Sequence, residues 1–272
     1  MQKIFGLEFV KSEYSLKNFR IDSLSFDTQT KSFVIIEYKN TKNFSVVDQG
    51  YSYLSLMLNN KSDFILEYNE VMNKNLKKSD IEWSQSRVIF VSPIYTRYQK
   101  ESINFKDLPI ELWEIKKFQN NTILYSQIKS NNPTESIKTI SKTNEVIDTV
   151  TKEVKTYSED EHLKGKSAEV LELYEAIKPE ILNLGEVSLK ATKLYIAFVE
   201  NRRNIVCFVL KINKIKVYIN LKFSEISDYK NKIRDITSIG SWGTGDCEFT
   251  FDNMEDLDYL MSLIKQSYKK NS

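Results

Sequence analysis

Phe33-Val34-Ile35-Ile36-Glu37-Tyr38-Lys39 is a run of branched and aromatic residues interrupted by one acid and one base. Such a run predicts a buried strand. Side chains alternate faces along a strand, so Glu37 and Lys39 share one face while Val34, Ile36 and Tyr38 take the other. Upstream, Phe19–Phe26 predicts a second strand, and Asp27 to Lys31 the turn of a hairpin whose register sets Asp22 opposite Glu37. Directly opposed residues have β-carbons about 4.5 to 5.5 Å apart, close enough for two carboxylates to share one cation. Two unpaired carboxylates at that spacing repel one another, and a magnesium ion relieves the repulsion while leaving positions for water and phosphate oxygens. Lys39 is placed to orient an attacking water or to neutralise charge developing on a phosphate. The matching reaction class is phosphodiester hydrolysis. The competing reading makes Asp22, Glu37 and Lys39 a surface charge network.

Downstream, Gln49 and Tyr53 stand at i and i+4 of a helix predicted over 49–58, on one face. Their donors suit phosphate or base contacts, or else Tyr53 is core and Gln49 a helix-start residue. Further strands are predicted at Phe5–Val10, Arg87–Val91 and Ile110–Lys116, and helices around 62–72 and 100–105. Strands alternating with helices indicate an α/β or α+β layered domain.

Composition narrows the chemistry. The chain has 272 residues, 39 Lys and Arg against 37 Asp and Glu, and 41% hydrophobic residues, enough for a core in each of two domains. No apolar run approaches the roughly 20 residues of a membrane span, and the N-terminus lacks a secretory pattern. A soluble cytoplasmic protein is expected. Cys207, Cys247 and the single His162 give no zinc cluster and leave triad catalysis without support, so carboxylates, Lys, Tyr or an oxygen-liganded metal remain. His162 itself reads as a solvated residue.

The stretch from Ser126 to Thr156 has no aromatic residue, and 129–165 reads as a linker between domains at 1–128 and 166–272. Its apolar positions Ile137, Ile140, Val146, Ile147, Val150 and Val154 also allow an amphipathic helix or short strands. The C-terminal domain predicts a helix capped by Ser167 and closing at Gly185, then strands at Leu194–Val199, Ile205–Ile212 and Lys216–Phe223. A hairpin-like Gly240–Asp246 follows, then Cys247–Phe251 and a last helix opened by Asp252 and Glu255, with Met254, Leu257, Met261 and Ile264 inward. The expected class here is a smaller α+β domain. Lys190, Lys193, Arg202, Arg203, Lys211, Lys214, Lys216 and Lys222 against the one acid Glu200 make a candidate nucleic-acid footprint or an ordinary solvated face. Tyr195, Phe198, Phe208 and Tyr218 could stack bases if exposed, though a core role is the simpler reading.

Arg20-Ile21-Asp22, Ile36-Glu37-Tyr38-Lys39, Gln49 and Tyr53 together resemble the PD-(D/E)XK nuclease superfamily, in the branch with a Gln-x-x-x-Tyr helix. Ile81-Glu82-Trp83-Ser84 followed by Arg87–Val91 resembles bacterial and archaeal members. The resemblance covers roughly 17–116. It implies a restriction-endonuclease-like mixed sheet flanked by helices, Asp22 and Glu37 as ligands of Mg²⁺ or Mn²⁺, Lys39 as the catalytic lysine, and Gln49 and Tyr53 supporting DNA. Related domains usually place a helix with another Glu before the first core strand; Glu8 and Glu13 are the acids available here. The segment 166–270 resembles an uncharacterised domain often labelled a predicted transport protein, through Gly240–Asp246, Arg234-Asp235 and Asp256-Leu257-Asp258-Tyr259. The glycines read as tight-turn residues, because no Gly-Lys-Ser/Thr follows. The function expected is metal-dependent DNA hydrolysis, with the C-terminal domain as a nucleic-acid or partner-binding module. The alternatives are a non-catalytic nucleic-acid-binding protein on a degenerate nuclease fold and a small-ligand or protein-interaction module centred on the C-terminal domain. A homo-oligomer would suit double-strand cutting by symmetry.

Overall fold

A computed structural model describes residues 1–40, 45–105, 107–129, 135–141, 144–239 and 243–271. The chain is α+β and divides into two compact units, Met1–Thr156 and Tyr157–Ser272.

The first unit carries α1 (Gln2–Phe5), β1 (Glu8–Leu16), β2 (Phe19–Asp27), β3 (Ser32–Tyr38), α2 (Val46–Asn59), α3 (Lys61–Met72), β4 (Arg87–Ser92), α4 (Arg97–Glu101), β5 (Ile110–Lys117), β6 (Ile123–Ile128), α5 (Lys138–Ser141) and α6 (Glu145–Glu153). The strands lie in the order β1-β2-β3-β4-β5-β6. The β1–β2, β2–β3 and β5–β6 pairs are antiparallel, whereas β3–β4 and β4–β5 are parallel. Hairpin-linked strands can be antiparallel neighbours, but β3 reaches β4 only through a helical crossover, and such a crossover returns the chain parallel.

Alternation sorts the apolar residues of β3. Phe33 and Ile35 join a core with Leu54 and Met57 of α2, Phe64 of α3, and Val88 and Phe90 of β4. Val34 and Ile36 join a smaller core with Phe5, Leu7, Ile89, Val91 and Trp113. The sheet is thus buried on both sides, which is why β3 is apolar on both faces. Helix α2 starts because Ser45 accepts the Asp48 N–H at 3.3 Å.

Several expectations for this unit change. The predicted strand Phe5–Val10 begins instead as a short helix that Gly6 ends at φ 65°, and the strand runs from Glu8 to Leu16. The helix expected near 100–105 is Arg97–Glu101. Strand β6 was not expected; none of its side chains is buried, so it offers no apolar pattern to read.

The stretch 129–165 does not act as a linker. Ile137, Ile147, Val150 and Val154 are buried in the core beside α2. Asn144 caps α6 by accepting the N–H groups of Val146 and Ile147, and the unit extends to Thr156. Absence of aromatics concealed a packed aliphatic stripe. Residues 130–134 and 142–143 and the Ile140 side chain lie outside the described residues, and Val146 is exposed.

The second unit holds α7 (Glu159–Leu163), α8 (Ala168–Leu182), β7 (Ser188–Ala191), β8 (Ile196–Glu200), β9 (Arg203–Leu210), β10 (Ile215–Ile219), β11 (Arg234–Asp235), β12 (Cys247–Phe251) and α9 (Leu257–Asn271). Its sheet, ordered β11-β12-β10-β9-β8-β7, is antiparallel throughout. One face carries α8 and α9, which bury Tyr174, Ile177, Leu260 and Ile264 against Phe198, Phe208, Val217 and Phe251. Ser167 caps α8 by accepting the Val170 N–H at 3.3 Å. Asn253, rather than Asp252, caps the 3-10 turn Met254–Asp256 that leads into the last helix, and Met254 is exposed. Of the hairpin-like segment, Gly240–Trp242 lie outside the described residues. Gly245 is a turn residue: its φ is +90°, and a β-carbon there would stand 2.0 Å from the Ile219 carbonyl oxygen. Among the described residues no helix is long and apolar enough to cross a membrane.

Candidate functional site

The β2–β3 register pairs Ser23 with Ile36 through Asp27 with Ser32, which continues to Asp22 opposite Glu37. Beyond Ser23 the side chains take over from the main-chain ladder. The Asp22 N–H donates to Glu37 Oε1 at 3.1 Å, and the Tyr38 N–H donates to Asp22 Oδ2 at 2.8 Å. On the other side β3 remains paired with β4, with the Lys39 N–H donating to the Val91 carbonyl at 2.8 Å. The strands therefore open on one side only, and the two carboxylates occupy the opening.

Glu37 is buried at 2% exposure, and the Lys39 Nζ lies 3.4 Å from its Oε2. The Tyr53 hydroxyl donates to the same carboxylate. Burial pushes the Glu37 carboxyl up and the Asp22 charge adds to this, outweighing the Asp22 N–H, Lys39 and Tyr53. Burial followed by the Glu37 charge pushes the Tyr53 phenol up as well, so it remains a donor at neutral pH. Phe19 packs edge-on against the Tyr53 ring, with centroids 6.5 Å apart.

Asp22, Glu37, Lys39 and Tyr53 are thus brought together. Gln49 lies one helical turn before Tyr53, and its Oε1 is buried with no hydrogen-bond partner among the described residues. Helix α2 sits close to the sheet because Gly50 has no side chain; a β-carbon there would meet Ile110 Cδ1 at 2.3 Å. Neither acid available for the N-terminal glutamate joins the cluster. Glu8 accepts the Tyr68 hydroxyl at 2.7 Å and the Lys74 ammonium at 2.6 Å, and Glu13 pairs with Arg20. Ile81–Ser84 is structural: Trp83 stacks on Phe33 at 5.5 Å, and Glu82 accepts the Ser84 hydroxyl at 2.7 Å.

Among the described residues no three His, Cys, Asp or Glu side chains converge. The donor set of Asp22 and Glu37 fits a hard cation such as Mg²⁺, which keeps several waters and is usually held through one or two carboxylates.

In the second unit the expected basic run does not form one surface. Successive antiparallel turns set Lys193, Lys211 and Lys214 at one end of the sheet and Arg202 and Arg203 at the other. Lys190 is exposed on the edge strand β7, and Lys216 is held by Glu248 at 3.0 Å. Tyr195, Phe198, Phe208 and Tyr218 are buried, so they are core and present no rings to bases. His162, expected in solvent, bonds the Thr192 carbonyl through Nε2 at 2.6 Å. What sequence reading missed is a cleft of about 500 Å³ lined by Lys214, Lys216, Lys232, Arg234, Glu248 and Thr250 with Asp252 and Asp256. Its signal was the shared even-numbered alternation of β10, β11 and β12, visible only once their pairing is known.

Comparison with known proteins gives two matches. Residues 159–271 match a domain of unknown function, DUF5655. An uncharacterized protein of Haemophilus influenzae is 47% identical over 265 residues, covering 97% of this chain and 87% of that protein. No solved structure matches the chain.

Proposed function

We propose, for a chain that belongs to one family with the uncharacterized Haemophilus influenzae protein, that the first unit hydrolyses DNA phosphodiester bonds with a divalent metal. The observation that carries this reading is the convergence of Asp22, Lys39 and Tyr53 on the buried carboxylate of Glu37. Two acids against one ammonium leave a local negative charge. A structural network would favour neutralising it fully, because an uncompensated buried carboxylate costs stability.

In this reading Asp22 and Glu37 hold Mg²⁺ or Mn²⁺, which when bound polarises phosphoryl oxygens and acidifies water. The Asp22 N–H and the Tyr53 hydroxyl fix the Glu37 carboxylate, so it needs little reorganisation when substrate arrives. Lys39 keeps its ammonium beside Glu37, where it can donate to a phosphate oxygen as charge builds in the transition state. Gln49, with an unused acceptor one turn from Tyr53, is placed to take a donor from the substrate. The second unit, whose basic residues are divided between the two ends of its sheet, serves as a partner-binding module, and the protein acts in the cytoplasm.

The test is Lys39→Ala, which should lower DNA cleavage by about two orders of magnitude or more while DNA binding is retained. Cleavage at the wild-type rate would remove the assigned role of the lysine. The non-catalytic reading rests on the absence of a third converging acid among the described residues, and predicts DNA binding indifferent to divalent metal.

A further inference from the structure

The cleft in the second unit is built by alternation. Lys214, Lys216, Lys232, Arg234, Glu248, Thr250 and Asp252 are all even-numbered, and the pairings Lys216 with Thr250 and Arg234 with Glu248 set them on one face of three adjacent strands. That face is the one opposite α8 and α9. The charges are unevenly matched. Lys216 Nζ and Arg234 Nη1 both donate to Glu248 Oε1, at 3.0 and 3.4 Å, so two cations share one carboxylate oxygen. Lys230 and Lys232 likewise share Asp256, at 3.1 and 2.6 Å. Lys214 is exposed and makes no ion pair with a described residue. Burial pulls the Glu248 carboxyl up, but Lys216, Tyr218 and Arg234 hold it below the usual range, so it stays charged and keeps both cations in place.

We infer that this cleft binds a phosphate ester of mononucleotide size, its phosphate seated between Lys214, Lys216 and Arg234 with the Thr250 hydroxyl as a further donor. Two fixed cations on one oxygen present donors already oriented, and the bidentate fork of Arg234 and the ammonium of Lys216 suit phosphate oxygens. The volume lies within the range of small-molecule sites and exceeds what a bare phosphate fills. A free ester fits better than a nucleic-acid strand, because Asp252 on the wall would repel the next phosphate of a continuous backbone. The inference is independent of the reading of Asp22 and Glu37.

The test is calorimetric titration of the full chain with inorganic phosphate, with AMP and with a single-stranded oligonucleotide lacking terminal phosphates. The expected result is AMP binding stronger than phosphate binding, both weakened about tenfold by Lys214→Ala or Arg234→Ala. Both substitutions are at exposed positions, so folding is preserved. Glu248→Gln keeps the acceptor oxygen that orients Lys216 and Arg234 but removes the negative charge that competes with phosphate for them, and should tighten both, a change of sign that loss of structure cannot give. No binding of phosphate or AMP would overturn the inference. So would affinity for the oligonucleotide alone, or affinity indifferent to all three substitutions.

Discussion

The main-chain N–H of Asp22 donates to the side chain of Glu37 at 3.1 Å, at the point where the β2–β3 ladder gives way. Each strand satisfies the other's N–H with a carboxylate, since Asp22 in turn accepts from Tyr38 at 2.8 Å. A break between paired strands normally strands polar groups. Here it converts two orphan donors into the means of orienting two acids.

That arrangement carries a stability cost. Burial raises the Glu37 carboxyl, so the folded state holds a proton at pH values where the unfolded chain has released it. Stability then declines as pH rises from the unfolded value through the folded one, and the penalty is fully present above the folded value. Glu37→Gln keeps the acceptor oxygen for Asp22 and Tyr53 and removes the charge. It should raise the thermal midpoint at pH 7 in metal-free buffer, with the gain vanishing below the usual carboxylate range. An equal gain across pH 3 to 8 would contradict the assignment (a range spanning the ordinary Glu value of about 4.3).

Gly50→Ala tests how α2 holds Gln49 and Tyr53 over the sheet. The new β-carbon would meet the Ile110 side chain at 2.3 Å, and overpacking of this kind costs about 1 to 3 kcal/mol. Urea unfolding should show a lower midpoint. A midpoint equal to or above the wild-type value would mean that the helix does not pack at this distance.

The extent of the first unit is testable by truncation. A fragment ending at residue 128 lacks Ile137, Ile147, Val150 and Val154, and burial of such side chains is worth roughly 1.5 to 3 kcal/mol each. That sum is comparable with the whole stability of a domain, about 5 to 15 kcal/mol. Residues 1–156 should unfold cooperatively and 1–128 should not. Cooperative unfolding of 1–128 with an unchanged midpoint would restore the linker reading.

The sequence made the β2–β3 hairpin legible because Asp27 to Lys31 fixed a turn between two apolar runs, and the register followed from it. The convergence of Asp22 with Glu37 was therefore readable, and so was Lys39 two residues on. Tyr53 was recognised by helical spacing, but its bond to Glu37 depends on where α2 crosses the sheet, which Gly50 decides. The 129–165 region was misread because polar composition outweighed four spaced aliphatic residues whose partner helix lies some ninety positions upstream. The cleft of the second unit was illegible for a related reason: Lys216, Arg234 and Glu248 meet only through the pairing of β10, β11 and β12.

The most direct measurement is cleavage of labelled single- and double-stranded DNA by the purified protein with Mg²⁺ or Mn²⁺, beside the Asp22→Ala/Glu37→Ala double variant. The account predicts metal-dependent cleavage by the wild type and none by the variant. Cleavage that survives in the double variant, or a wild type that binds DNA without cutting it in either metal, would contradict it.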